Sequence, residues 1–339
     1  MSTIWMKPIE TPKAWYGGTL QESGEWVMTL EDGDIADLVQ AMEISKASGK
    51  PLEELQRADF PLTTFLPKLE AIGQELYDGR GFIVVRGLPA MHLSKDECEL
   101  IFWGLGRYLG SPLYQNPKGE LMGHVYDHGR KYGEIDVRGY EGRSYLPYHT
   151  DNCDVVGLMC FRKGLAGGLS SIVSSTTIYN EILTNHPEYM GLMYNGFYYI
   201  RREEALSGKG VSDLPVPVFG VQDGVVSCRY LRNQINAGAV KRGVALTKVE
   251  AEALDYFDSL TRRDDMRLDM ELQPGDMQLC NNYTTLHSRT EFVDGPEIDQ
   301  RRHMLRLWLK FPKTWPVSPL FPEQLGYKLA DASGSIVEA

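Results

Sequence analysis

The chain has 339 residues, with 35 basic against 46 acidic side chains and a formal net charge of −11. That field repels nucleic acid and anionic membrane surfaces, while leaving room for a local basic pocket that takes a small anion. With 42% hydrophobic and 10% aromatic residues the chain can fill a sizeable core and does not read as disordered. No apolar run approaches the roughly 20 residues that span a bilayer, and the first fifteen residues lack the apolar stretch of a signal peptide. Five dispersed cysteines, Cys98, Cys153, Cys160, Cys228 and Cys280, show no C-x-x-C spacing. They read as reduced thiols of a cytoplasmic protein.

Residues 1–30, rich in Trp, Pro and Gly, predict an irregular lead-in. From Asp32 onward Ile35, Leu38, Val39 and Met42 recur at helical intervals, with Asp34 as the candidate cap. Leu66, Leu69, Ile72, Leu76 and Tyr77 form a second helical face, which Gly79 ends. The β-branched run at 82–85 predicts a buried strand, and 94–110 a third helix. Beyond Leu121 short apolar runs and turns take over. Strands are predicted at 123–127, 144–151, 155–162, 169–175, 197–203, 216–224, 225–231, 266–272, 276–282 and 302–311. Two helices interrupt them, at 175–193 and at 247–263, the second opened by Thr247 and Glu250 as a capping box. Helices first and many short strands afterwards indicate a mainly β fold, a sandwich or barrel with helices packed outside. No Pro/Gly/Ser linker divides the chain, so one domain over 1–339 is expected.

The candidate chemistry begins at Tyr148-His149-Thr150-Asp151. Residues two apart on a strand project to one side, so His149 and Asp151 would converge. Two histidines and a carboxylate make the facial triad of non-haem Fe(II) oxygenases, although an H-x-D tripeptide is also a common chance pair. His287, after a tight turn at 274–276 and a strand, is by itself either a ligand or a packed histidine. On the strand at 302–311, Arg302, Met304, Arg306 and Trp308 share one face, while His303, Leu305, Leu307 and Leu309 share the other. Two arginines pointing into an interior need anions. Those are either internal carboxylates or a small dicarboxylate held by a guanidinium fork.

Weaker candidates surround these. Asn281 and Asn282 read as turn residues or as groups orienting a metal site, with the turn favoured for Asn281. Tyr145 shares the parity of His149 and would line a substrate pocket or pack in the core. Arg229 and Asn233 are substrate contacts or an ordinary polar strand end. His124 and His128 have helical spacing but glycine neighbours, which makes a poor second metal site. Cys153 and Cys160 read as small core residues.

In order, H-T-D at 149–151, G-G-x-S at 167–170, N-N-x-x-x-L-H at 281–287 and R-R-x-x-x-R-x-W-L at 301–309 resemble the taurine dioxygenase-like (TauD/TfdA) family. These are Fe(II)- and 2-oxoglutarate-dependent oxygenases, and the likeness covers residues 80–312, including the strand that opens the family's core at 81–87. The resemblance implies a double-stranded β-helix, a cupin-like jelly roll whose mouth holds the metal. It divides the chain into a mostly helical part at 1–79, the jelly-roll core at 80–312 and a tail at 313–339. It implies His149, Asp151 and His287 as iron ligands. Ser170 would contact 2-oxoglutarate, with Ser171 the neighbouring candidate because Leu169 departs from the family's usual acidic residue. Arg302 would pair with the distal carboxylate of 2-oxoglutarate, and Arg306 would face the cosubstrate or an anionic substrate group.

The implied reaction uses Fe(II), 2-oxoglutarate and O2, releases succinate and CO2, and oxidises a C–H bond of a small molecule. Hydroxylation is expected ahead of desaturation or oxidative cyclisation. Asp151 fills the position a halide would need, which disfavours halogenation. Two rivals are a cupin-like zinc hydrolase or isomerase and a non-catalytic binding module. The arginine pair speaks against the first and the complete triad against the second. The expected partner is a small-molecule substrate, with no nucleic acid and no membrane, and a homo-oligomer is left open.

Overall fold

A computed structural model describes residues 4–116, 118–129, 142–201 and 210–317. Two sheets carry the architecture. A seven-stranded sheet runs Val27–Thr29, Phe82–Arg86, Met277–Asn281, Val155–Arg162, His303–Lys310 and Ser111–Pro112, with Met122–Val125 also paired to His303–Lys310. A four-stranded sheet runs Arg267–Met270, Ser170–Ser174, Thr285–Arg289 and Leu146–His149. Phe82, Val84, Val156, Cys160, Ile172, Leu268, Cys280, Met304 and Trp308 form one core cluster drawn from both sheets. This is the jelly roll with flanking helices that the sequence led us to expect.

From Met304 to Leu309 the alternation along His303–Lys310 sorts the side chains as predicted. Met304 and Trp308 join the cluster shared by the sheets. Leu305, Leu307 and Leu309 join a different cluster, with Leu38, Leu69, Ile72, Phe102 and Leu105 from the helices Asp32–Ala47, Leu66–Tyr77 and Lys95–Leu109. The predicted capping box of the helix Lys248–Thr261 forms, with Thr247 and Glu250 reciprocally bonded. Asp34, by contrast, is not the cap of Asp32–Ala47. Glu31 is, and Asp34 sits at the third helical position and accepts the Glu31 backbone N–H at 2.8 Å.

Several predicted elements change. The lead-in holds a short helix, Gly17–Ser23, and the strand Val27–Thr29. That helix needs glycine because a Cβ on Gly17 would stand 2.0 Å from the Arg267 carbonyl oxygen. Pro187 breaks the helix predicted at 175–193 into Ser175–Asn185, a 3-10 turn at Pro187–Tyr189, and Met190–Asn195. The strand predicted at 197–203 is realised only at Ile200–Arg201, and 202–203 lie outside the described residues. After Val225–Cys228 the chain turns into an unexpected helix, Arg232–Arg242, which buries only Gln234, Ile235 and Gly238 and so leaves no apolar stripe to read. His287 lies in a strand of its own, Thr285–Arg289, which the sequence reading, ending its strand at 282, does not predict.

Candidate active site

The antiparallel pairing of Thr285–Arg289 with Leu146–His149 sets His287 directly opposite His149. Their ring centroids are 4.3 Å apart. Asp151 does not share a strand face with His149, because the strand ends at His149. A turn brings it back instead. Thr150 N–H donates to the Tyr230 carbonyl at 3.0 Å, Asp151 N–H to Asn282 Oδ1 at 3.1 Å, and Arg229 Nη1 to the Asp151 carbonyl at 3.1 Å. The result puts His149 Nε2 3.8 Å from Asp151 Oδ1 and His287 Nε2 3.6 Å from Asp151 Oδ2. One ligand atom from each of the three residues lies within 4.8 Å of the others, the one such group of three found among the described residues.

The protonation states suit a metal. The Pro147 carbonyl can only accept, so His149 Nδ1–H must donate to it at 2.8 Å, which leaves the Nε2 lone pair facing Asp151. Burial, helped by the neighbouring His287, lowers His149 to about 4, so the ring is neutral at pH 7. Burial by itself would raise the Asp151 carboxyl. The hydrogen bond with His287 and the charge of Arg306 outweigh it and hold Asp151 far below the usual carboxylate range. Imidazole nitrogens with one ionised carboxylate form a donor set that fits a borderline divalent ion.

Four further residues build the site from the seven-stranded sheet side. Trp308 Nε1–H donates to Asp151 Oδ2 at 3.0 Å. The Arg306 guanidinium lies 4.6 Å from the Trp308 ring centroid, and its Nε donates to Gln115 Oε1 at 2.7 Å. Gln115 is itself fixed by donating to the carbonyls of Leu121 and Arg306. Gln278 accepts from the Ser170 hydroxyl.

The pairing of Ser170–Ser174 with Thr285–Arg289 places Ile172 opposite His287 and Ser170 opposite Arg289. Ser170 therefore projects on the same side as His287. Ser171 projects on the other side, where its hydroxyl meets Tyr148 and Asp269.

Arg302 precedes the strand His303–Lys310, whose register shifts between His303 and Met304, so strict parity does not reach it. It is buried all the same. Its guanidinium lies 5.3 Å from the Phe292 ring, and its Nη1 meets no acceptor. No carboxylate pairs with it among the described residues, so the internal salt bridge does not form there. Burial lowers Arg302 to about 10, which leaves it cationic at neutral pH.

Arg289, not singled out in the sequence, has its guanidinium 4.7 Å from the centroid of the same Phe292 ring and donates to the carbonyls of Gly142, Ser144 and Thr290. Burial and the nearby Arg302 lower it to about 10. Its place two residues after His287 on one strand was the available signal.

The remaining candidates separate. Arg229 is fully buried and braces the carbonyls of the H-T-D turn. Tyr145 is exposed and does not pack in the core, and Asn233 is on the exposed side of the helix Arg232–Arg242. Asn282 orients Asp151, whereas Asn281 accepts from Tyr283 N–H within a turn, as expected. His124 pairs with His303 at 3.0 Å, while His128 stacks on Tyr126. Cys153 and Cys160 are buried free thiols.

The model of the taurine catabolism dioxygenase TauD, TfdA family matches residues 48–308. FR-33289 synthase of Streptomyces rubellomurinus is 31% identical over 313 residues, covering 91% of this chain and 92% of that protein. The taurine hydroxylase-like protein SAT17 of Stachybotrys chartarum is 29% identical over 308 residues, covering 87% and 77%. Among solved structures, asparagine oxygenase in complex with Fe(II), 3-hydroxyasparagine and succinate superposes with a TM-score of 0.65 at 19% identity, over 84% of this chain and 93% of that one. The non-heme iron oxygenase OrfP in complex with Fe and alpha-ketoglutaric acid superposes with a TM-score of 0.60 at 14% identity, over 84% and 93%.

Proposed function

The chain belongs to the TauD/TfdA family and is a non-haem iron, 2-oxoglutarate-dependent oxygenase; on that premise we propose that His149, Asp151 and His287 hold Fe(II), that Arg302 and Ser170 hold 2-oxoglutarate, and that the enzyme hydroxylates a small molecule. The observation that carries this reading is the convergence of two imidazoles and an ionised carboxylate within 4.8 Å of one another. Bound Fe(II), with 2-oxoglutarate and O2, supplies an oxidant for C–H bonds and leaves succinate and CO2.

The protein's own residues do the rest. His149 presents Nε2 because Pro147 claims its other nitrogen. Arg306 helps keep Asp151 ionised. Arg302 offers a buried cation that pairs with no carboxylate among the described residues, and a dicarboxylate would complete it with a charge-assisted pair. Ser170 stands on the same sheet face as His287, within the space between the sheets. The retained carboxylate of Asp151 leaves no place for a halide, which favours oxygenation over halogenation. The hydroxylated amino acids bound to asparagine oxygenase and OrfP support hydroxylation as the outcome. A reducing, cytoplasmic setting agrees with five buried free thiols. No helix among the described residues is long and apolar enough to cross a membrane.

Two measurements test the proposal. His149→Ala and Asp151→Ala should each abolish Fe(II)-dependent succinate formation while the protein stays folded, and full activity in either would overturn the triad. With labelled oxygen gas, hydroxylation should put one labelled atom into the product, barring exchange with water. A product lighter by two hydrogens and carrying no label would establish desaturation or cyclisation instead.

A further inference from the structure

The two oxygens of Asp151 are not equivalent. Oδ1 faces His149 Nε2 at 3.8 Å, whereas Oδ2 faces His287 Nε2 at 3.6 Å and also accepts the Trp308 indole N–H at 3.0 Å. Trp308 is held from the opposite sheet, on the strand His303–Lys310, where it pairs with Val156 and is almost fully buried. Its position is therefore set by the core and not by Asp151. The Arg306 cation over its ring, 4.6 Å from the centroid, is pinned by Gln115. A cation on an indole face draws electron density from the ring and makes its N–H a better donor.

We propose that Trp308 is a positioning residue that fixes the plane of the Asp151 carboxylate, reserves Oδ2 for the indole, and presents Oδ1 as the single oxygen given to the metal. The inference rests on the triad reading above. Its physical reason is the need for open positions. A carboxylate free to turn about its Cβ–Cγ bond can chelate with both oxygens and fill a position that the cosubstrate needs. A fixed donor on one oxygen removes that freedom, and an indole N–H suits the task because it donates and never accepts.

The test uses Co(II) in place of iron, without turnover. Affinity is read by titration, coordination by the visible d–d absorption, and folding by thermal melting. Trp308→Phe removes the donor but also reduces ring size. Replacing Trp308 with 3-benzothienylalanine keeps the ring shape and removes only the N–H. Both are expected to bind Co(II) roughly 10–100-fold more weakly, the usual effect of losing a partner of a metal ligand, and to change the d–d spectrum. Parent affinity and spectrum in the benzothienyl protein would overturn the proposal, even if Trp308→Phe were weak, because packing would then be the cause. Asp151→Ala separates the two readings. If it loses Co(II) while the Trp308 replacements do not, only the role of Trp308 falls. If it keeps parent affinity, the triad reading falls and this inference falls with it.

Discussion

At Gly168 the backbone φ is +72°, and a Cβ there would stand 3.1 Å from Arg302 Nε. The glycine thus serves two purposes: it adopts a left-handed conformation, and it leaves room for a buried guanidinium. Gly168→Ala should cost about 1–2 kcal/mol of stability from backbone strain and displace Arg302, so the KM for 2-oxoglutarate should rise with less change in kcat. Steady-state kinetics beside thermal melting checks both parts. Arg302→Met addresses the cation itself. A desolvated charged pair loses about 2–5 kcal/mol when one partner is truncated, so the 2-oxoglutarate requirement should rise by roughly 30-fold or more. The cosubstrate-free protein should melt no lower than the parent, since a buried cation without a carboxylate partner is itself costly. An unchanged requirement would move the role to Arg306. Arg302 could be read from the chain through the R-R-x-x-x-R-x-W-L motif of the resemblance, although it lies just before the strand His303–Lys310. Arg289 was signalled only by its place two residues after His287, because its partners are backbone carbonyls, which carry no side-chain signature.

The strand His303–Lys310 shows how far alternation carries at the level of an element. From Met304 to Leu309 the two faces divide between the inter-sheet core and the helices as predicted. At its start the register shifts, and His303 meets His124 of Met122–Val125 at 3.0 Å. Burial first, then His124, Arg162 and Lys95, lower His303 to about 4 from an ordinary 6.5. The sign follows from which state takes up the proton. Above 6.5 the ring is neutral in both folded and unfolded chains. As pH falls from 6.5 towards 4 the unfolded chain binds a proton that the folded one refuses, and stability is lost. His303→Gln should therefore lose less stability than the parent between those pH values, as measured by urea unfolding at each. Equal losses in the two proteins would remove His303 as a source of acid sensitivity.

Across the whole molecule, the candidate site joins the two sheets. His149, His287 and Ser170 come from the four-stranded sheet, whereas Gln278, Arg306 and Trp308 come from the seven-stranded one. Ligands bound there hold both sheets in the folded arrangement and have no comparable site in the unfolded chain. Mn(II) with 2-oxoglutarate, each near a hundred times its dissociation constant, should add about 2.7 kcal/mol per independently bound ligand. The melting temperature should rise accordingly, and Asp151→Ala should abolish the metal's share. A parent protein that melts at the same temperature with and without both ligands would contradict their binding to the folded chain.

By itself the sequence determined whatever depends on near neighbours. Apolar spacing marked the helices Leu66–Tyr77 and Lys95–Leu109, alternation marked most strands, and Thr247 with Glu250 marked a helix start. The H-T-D tripeptide and His287, each open to a plainer reading alone, became candidate metal donors through the ordered set of motifs that resembles the family. Only the tertiary structure decided how Asp151 turns back after the strand has ended, which serine shares the face of His287, and that Trp308 and Gln115 complete the site. Those facts depend on contacts between residues 157 and 191 positions apart in the chain, for Asp151 with Trp308 and Gln115 with Arg306. Local periodicity contains no information about such pairs. They are fixed when burial of apolar side chains packs the two sheets together.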